Sequence, residues 1–176
     1  MHNLAKSIDE EELLSLLKDF YNQAKKNAET GKANGSTKTD ELDKAVNPLG
    51  LKCAIYYGSG GAAACPGIVF IRQDIINIFY HKNEDVSPTK GIYIWFCYEN
   101  QKLYLEFGRR QGTNINCKAF NDLYKKGSFN RKEGTFKCYD DFENHKDAIL
   151  NDFLNFVSYY KSFDARDFRI QPTTGA

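Results

Sequence analysis

Gly91-Ile92-Tyr93-Ile94-Trp95-Phe96-Cys97-Tyr98 is followed by Glu99-Asn100-Gln101 and then by Lys102-Leu103-Tyr104-Leu105-Glu106-Phe107. Two runs rich in aromatic and aliphatic residues are thus separated by a short polar break, the pattern of an antiparallel hairpin. Strand alternation puts Tyr93, Trp95 and Cys97 on one face and Ile92, Ile94, Phe96 and Tyr98 on the other. Beyond the turn, Leu103, Leu105 and Phe107 oppose Tyr104 and Glu106. One face is core. The other carries Tyr93, Trp95, Tyr104 and Glu106, which suit either a pocket or a second, partly polar packing layer under a helix.

Upstream of the hairpin, Leu51–Tyr57 and Gly67–Ile71 read as strands joined by a glycine- and alanine-rich loop, Gly58–Pro66. Between residues 72 and 90, Ile75, Ile76, Ile78 and Phe79 fit a short helix or a strand. Downstream, Asn116–Lys126 predicts a short helix closed by Gly127, and Gly134–Tyr139 a short strand. Both ends show helical periodicity. Leu13, Leu17, Phe20, Tyr21 and Ala24 predict a helix from about residue 8 to about 29, opened by the capping-box pattern Ser7-Ile8-Asp9-Glu10 and closed near Gly31. Ile149, Leu150, Phe153, Leu154, Phe156, Val157 and Tyr160 predict another over about 141–162. Residues 30–48 are small and polar, and read as a flexible joint with a short turn around Asp40–Ala45. The expected architecture is α+β: a mostly antiparallel, curved β-sheet flanked by an N-terminal and a C-terminal helix.

A chain of 176 residues fits one domain, or one domain with a helical extension, and can bury a core without staples. Aromatics make up 14%, a surplus that serves either a bulky core or stacking on bases and sugars. Five cysteines, odd in number and without a C-x-x-C pair, read as reduced thiols of a cytoplasmic protein. No apolar run approaches a membrane span, and the acidic start at Asp9–Glu12 is no signal peptide.

Several chemistries are excluded by context. Gly58-Ser59-Gly60-Gly61-Ala62-Ala63 matches a loose dinucleotide fingerprint, but Pro66-Gly67 arrives before a crossover helix could form. No phosphate-binding G-x-x-x-x-G-K-[ST] loop occurs. His2, His81 and His145 have no evident nucleophile or metal partner, so neither a catalytic residue, a metal nor a cofactor is expected. A nuclease using the acids near Asp140 remains a minor alternative.

The net charge of +1 hides an uneven distribution. Arg109, Arg110, Lys118, Lys125, Lys126, Arg131 and Lys132 face a single acid, Asp122, within one stretch. Such a segment can grip phosphates, with Lys52 and Arg72 as further candidates, or it can be a solvated helix with two loops.

These residues carry a family resemblance. The run Leu51-Lys52-Cys53-Ala54-Ile55-Tyr56-Tyr57-Gly58-Ser59-Gly60, then Cys65-Pro66-Gly67-Ile68-Val69-Phe70, Gly91-Ile92-Tyr93 and Leu103-Tyr104-Leu105-Glu106-Phe107-Gly108 resembles the N-terminal domain of McrB-like restriction proteins. The resemblance spans roughly residues 10–160, with specific matches in 51–71 and 91–112. It implies a non-enzymatic domain that reads a specific or modified site in double-stranded DNA, fused to a GTP-dependent motor that works with an McrC-like nuclease subunit. It also implies phage defence, and base flipping into an aromatic pocket in the manner of the family's methylcytosine reader. On this reading residues 1–48 are a helix and connector, 49–164 the recognition domain, and 165–176 a tail or linker to the motor. Tyr56, Ser59, Gly60, Tyr93, Trp95, Cys97 and Tyr104 are the expected base-contacting residues. The departures fall in the pocket: Ser59 stands where that reader has a tyrosine, Gly67 where it has a tryptophan, and Cys97 where it has an aliphatic residue. Trp95, Tyr56 or Tyr104 then supplies a substitute wall, or the target differs. The competing reading is a protein-interaction or assembly domain that binds no nucleic acid.

Overall fold

The computed structural model describes residues 8–37, 39–59, 61–109, 117–126, 131 and 136–169. For Arg109, Tyr124, Lys125 and Lys126 only the backbone is described.

Helix α1 spans Glu10–Thr30. The Asp9 carboxylate accepts the Glu12 amide at 3.1 Å, satisfying an amide that the first turn leaves orphaned. Gly31 closes the helix at φ 73°, a left-handed cap that costs glycine little. The predicted apolar stripe is the buried one, from Leu13 to Ala24.

Five strands follow: β1 Leu51–Tyr56, β2 Gly67–Arg72, β3 Ile92–Glu99, β4 Lys102–Arg109 and β5 Lys137–Tyr139. They pair antiparallel in chain order, forming one open sheet. Asn100 and Gln101 both take positive φ, 52° and 64°, so β3 and β4 are joined by a tight two-residue turn whose twist matches the strands. Together with α1 and α5 (Lys146–Lys161), this gives an α+β fold with helices near both ends of the chain.

The helices α1 and α5 cover the same face of the sheet. Phe20 of α1 packs on Phe96 of β3, and Tyr21 on Tyr98. From α5, Phe153 meets Phe70 at 4.9 Å between ring centres, and Phe156 stacks on Phe107 at 5.1 Å. Ile92, Ile94, Phe96, Leu103, Leu105 and Phe107 are all buried beneath them. Burial of this many aromatic rings accounts for most of the aromatic surplus, because each removes a large apolar area from water.

Two segments differ from the sequence expectation. Residues 40–49 are not a flexible joint: Asp40–Val46 is a helix, α2, continued by a 3-10 turn to Leu49. Leu42, Ala45, Val46 and Leu49 are buried, and Asp43 accepts the Cys53 amide of edge strand β1 at 2.9 Å. The spacing of three apolar residues among acids was too brief to announce a helix; the strand edge that needed covering selects it. At the other end, Ala165–Phe168 forms a 3-10 turn that drives Phe168 into the core. The core therefore runs from Leu13 to Phe168, across the boundaries at 48 and 164 expected from sequence. Residues 73–79 resolve as a 3-10 turn and a single helical turn, α3 (Ile76–Phe79).

The loop after β1 is tethered as well. Gly58 has φ 124°, and a Cβ there would stand 2.4 Å from the Gly61 carbonyl. The Ala62 amide donates to the Gly31 carbonyl and the Ala63 amide to Tyr57, which fastens the loop to the end of α1.

Candidate nucleic-acid interface

Directly paired residues in a sheet project from the same face. The strand register therefore composes the second face row by row. One row crosses all five strands: Tyr56, Gly67, Cys97, Tyr104, Cys138. Beside it run Ala54, Val69, Trp95 and Glu106, and beyond these Lys52 with Ile71 and Tyr93 with Gly108. Neither α1 nor α5 covers this face.

Glycine shapes its relief. A Cβ on Gly67 would stand 2.4 Å from the Trp95 ring, and one on Gly108 would stand 2.4 Å from the Tyr93 ring. Each aromatic lies across the neighbouring strand, over the backbone that glycine leaves bare. The Trp95 indole thus fills the space that a side chain at 67 would take. Tyr93 meets it edge-on at 6.0 Å.

Exposure separates these aromatics. Tyr56 is 37% exposed, and Trp95 and Tyr104 are half-buried. Tyr93 is only 4% exposed. Its hydroxyl donates to the Pro88 carbonyl at 2.9 Å, in the segment between α3 and β3. That segment is held by Tyr80, whose hydroxyl lies 2.7 Å from the Ser87 carbonyl and 2.9 Å from that of Lys90. Burial raises the pKa of Tyr93. It stands behind Trp95 as a support.

A charge cluster occupies the other end of the face. The Arg131 guanidinium stacks on the Tyr104 ring at 3.8 Å. It donates to both Glu106 oxygens, at 2.9 and 3.1 Å, and pairs with Glu99 at 2.5 Å. Burial raises the pKa of Glu106, which is 7% exposed, while the two hydrogen bonds from Arg131 oppose that rise. For Arg131, burial works against the charge, but the bonds to Glu106 and Glu99 outweigh it and hold the pKa above its ordinary value. Cys97 is fully buried between them and hydrogen-bonds to Cys65, which lowers the Cys65 pKa.

The other sequence candidates scatter. Lys52 is exposed on the same face, and Ser59 is exposed in the tethered loop. Arg72 lies on the helix side and is 5% exposed. Its guanidinium donates to the carbonyls of Tyr160 and Phe163 and to Asp74, so it ties α5 to β2 and is buried away from any phosphate. Lys118 is exposed at the start of α4 (Lys118–Lys126), 4.0 Å from Asp167. Arg109 ends β4, and Lys125 and Lys126 lie in α4. Gly60, Arg110 and Lys132 lie outside the described residues.

Sequence reasoning missed Glu99 and Cys65 as members of this face, and it missed the pairing of Glu106 with Arg131 across 25 positions. A carboxylate in an otherwise apolar strand was the available signal, since buried charge requires a partner. Among the described residues no group of three His, Cys, Asp or Glu side chains could hold a metal ion, and no helix is long and apolar enough to cross a membrane. No protein-family model matches the chain, and no curated protein matches it.

Proposed function

We propose that the chain is a DNA-specificity module of the McrB-like type and that it reads duplex DNA with the sheet face opposite its helices. The observation that supports this reading is the set of partly exposed aromatics on that face, Tyr56 and Tyr104 in the row of Gly67 and Cys97 and Trp95 in the row beside it. An extruded base has lost its stacking neighbours, so it needs flat walls and a floor without bulk. Trp95 over Gly67 supplies the wall that a side chain at 67 would otherwise give. The Glu106 carboxylate suits the exocyclic amine of a base, and the Arg131 guanidinium holds it in place. Lys52 and the cations of 109–132 that are not already paired then hold phosphates. In the whole protein this module serves a GTP-dependent motor and an McrC-like nuclease subunit, and it cuts nothing itself.

A mobility-shift titration with modified and unmodified duplexes tests the reading. A shift that weakens steeply with salt is expected, because each phosphate contact releases counterions. Trp95→Ala should abolish discrimination between duplexes while leaving residual nonspecific binding. Absence of any shift at low salt would leave the protein-interaction reading as the better one.

A further inference from the structure

Cys97 lies in β3 on the face away from the helices, and a second thiol touches it. The strand register sets Cys97 opposite Gly67, the first residue of β2. Pairing continues one step further, where the Tyr98 amide donates to the Pro66 carbonyl at 2.9 Å. That bond fixes the chain just before β2, so Cys65 lies diagonally across from Cys97 and the two thiols hydrogen-bond. Cys53 is held instead against Asp43, and Cys117 against the Phe120 amide.

The paired thiols differ in access and in charge. Cys65 is half-buried and open to a small solute, whereas Cys97 is fully buried. The hydrogen bond from Cys97 holds the Cys65 pKa below the ordinary thiol value against burial, and the Trp95 indole and the Arg131 charge act the same way. Donation to Cys65, and then burial, push Cys97 up, so the thiolate belongs to Cys65 and Cys97 keeps its proton. Arg131 Nη2 stands 3.5 Å from the Cys97 sulfur and steadies negative charge that gathers there. A reachable thiolate beside a shielded second thiol is an oxidation site with its own resolving partner.

We infer that Cys65 and Cys97 form a redox-active pair: a hydroperoxide oxidises Cys65, and Cys97 closes the product to a disulfide that joins the start of β2 to β3. The Cys65 thiolate attacks the outer oxygen of the peroxide and the O–O bond breaks. The other oxygen leaves as alkoxide or hydroxide and takes a proton from solvent, and Cys65 becomes a sulfenic acid. The Cys97 sulfur then attacks the Cys65 sulfur, the S–O bond breaks, and the hydroxyl leaves with the Cys97 proton as water. The pair of thiols has lost two electrons and the peroxide has gained them. Cys138, exposed on β5 across Tyr104 from Cys97, is the internal control. The inference does not depend on DNA binding.

The test treats the whole chain, reduced and freed of reductant, with one equivalent of hydrogen peroxide, and maps its peptides by mass spectrometry without reduction. Cys65 and Cys97 should appear in one linked pair of peptides, with two of the five free thiols lost and recovered by dithiothreitol. Emission of the single tryptophan should fall, because a disulfide quenches an indole that it touches. In Cys97→Ser the sulfenic acid on Cys65 has no partner and should be trapped by dimedone. In Cys65→Ser, Cys97 should stay reduced. Absence of the linked pair in the unaltered chain, whether oxidation starts at Cys138 or carries Cys65 on to sulfinic acid, would overturn the inference, and that measurement stands even if a variant fails to fold.

Discussion

Trp95 lies so flat across Gly67 that a single carbon added to the glycine would come within 2.4 Å of the indole. The protein has one tryptophan, so its fluorescence reports on this contact directly. Gly67→Ala should cost about 1–3 kcal/mol, because the ring must leave its rotamer or β2 must shift. Denaturant unfolding should show the loss, and the emission should move to the red as the indole gains solvent. Unchanged emission and stability would mean that Trp95 does not rest on Gly67.

Arg131 and Glu106 make a second test. Removing the guanidinium leaves Glu106 buried without its partner. Arg131→Ala should therefore destabilise by about 1–3 kcal/mol, the cost of an unpaired buried acceptor, with Arg131 itself partly exposed. Glu106→Gln in the same chain should recover part of that loss. A double-mutant cycle measures the coupling.

The pH dependence of that variant follows from the raised pKa of Glu106. A carboxyl held above its unfolded value of 4.5 binds more protons in the folded state. Its contribution is fully present below 4.5 and is lost as pH rises through the folded value. Without Arg131 to oppose burial, the window should widen upward. Thermal melts of Arg131→Ala should thus lose more stability between pH 4.5 and neutrality than those of the unaltered chain.

Alkaline pH should unfold the protein by a separate route. Tyr57, Tyr93, Tyr139 and Tyr160 all have pKa values raised by burial above the ordinary 10. Stability tied to them is complete below pH 10 and falls as pH climbs through the folded values. The exposed tyrosines, such as Tyr56, contribute absorbance of their own, so the comparison is with Tyr→Phe variants at the four positions. The absorbance that each variant removes should belong to the step that coincides with loss of circular dichroism; its removal from an earlier step would show that these hydroxyls are open to water.

Phe168 tests the boundary at the C-terminal end. It is fully buried against Tyr160, Phe163 and the Arg72 guanidinium. Phe168→Ala should cost about 3–5 kcal/mol, as for other core phenylalanines. A change below about 0.5 kcal/mol, as at surface sites, would return residues 165–168 to the status of a tail.

Much of this molecule could be read from the chain. Period-two alternation through Ile92–Phe107 specified the central hairpin and sorted its side chains between faces, because a strand places alternate residues on opposite sides whatever surrounds it. Period 3.6 located α1 and α5, and Gly31 gave the end of α1; its start was read as a capping box from Ser7, whereas Asp9 is the residue that caps the first turn. What escaped was everything that depends on distance along the chain. Leu42, Ala45 and Val46 became a helix only because the edge of β1 required a cover. Arg72 and Arg131 look alike as cations in a sequence. One ties α5 to β2 and the other stacks on Tyr104, since the lowest-energy partner of a charge is set by which carbonyls and carboxylates the fold brings near. Local periodicity determined the elements; burial of their faces against one another decided which side chains remain for a ligand.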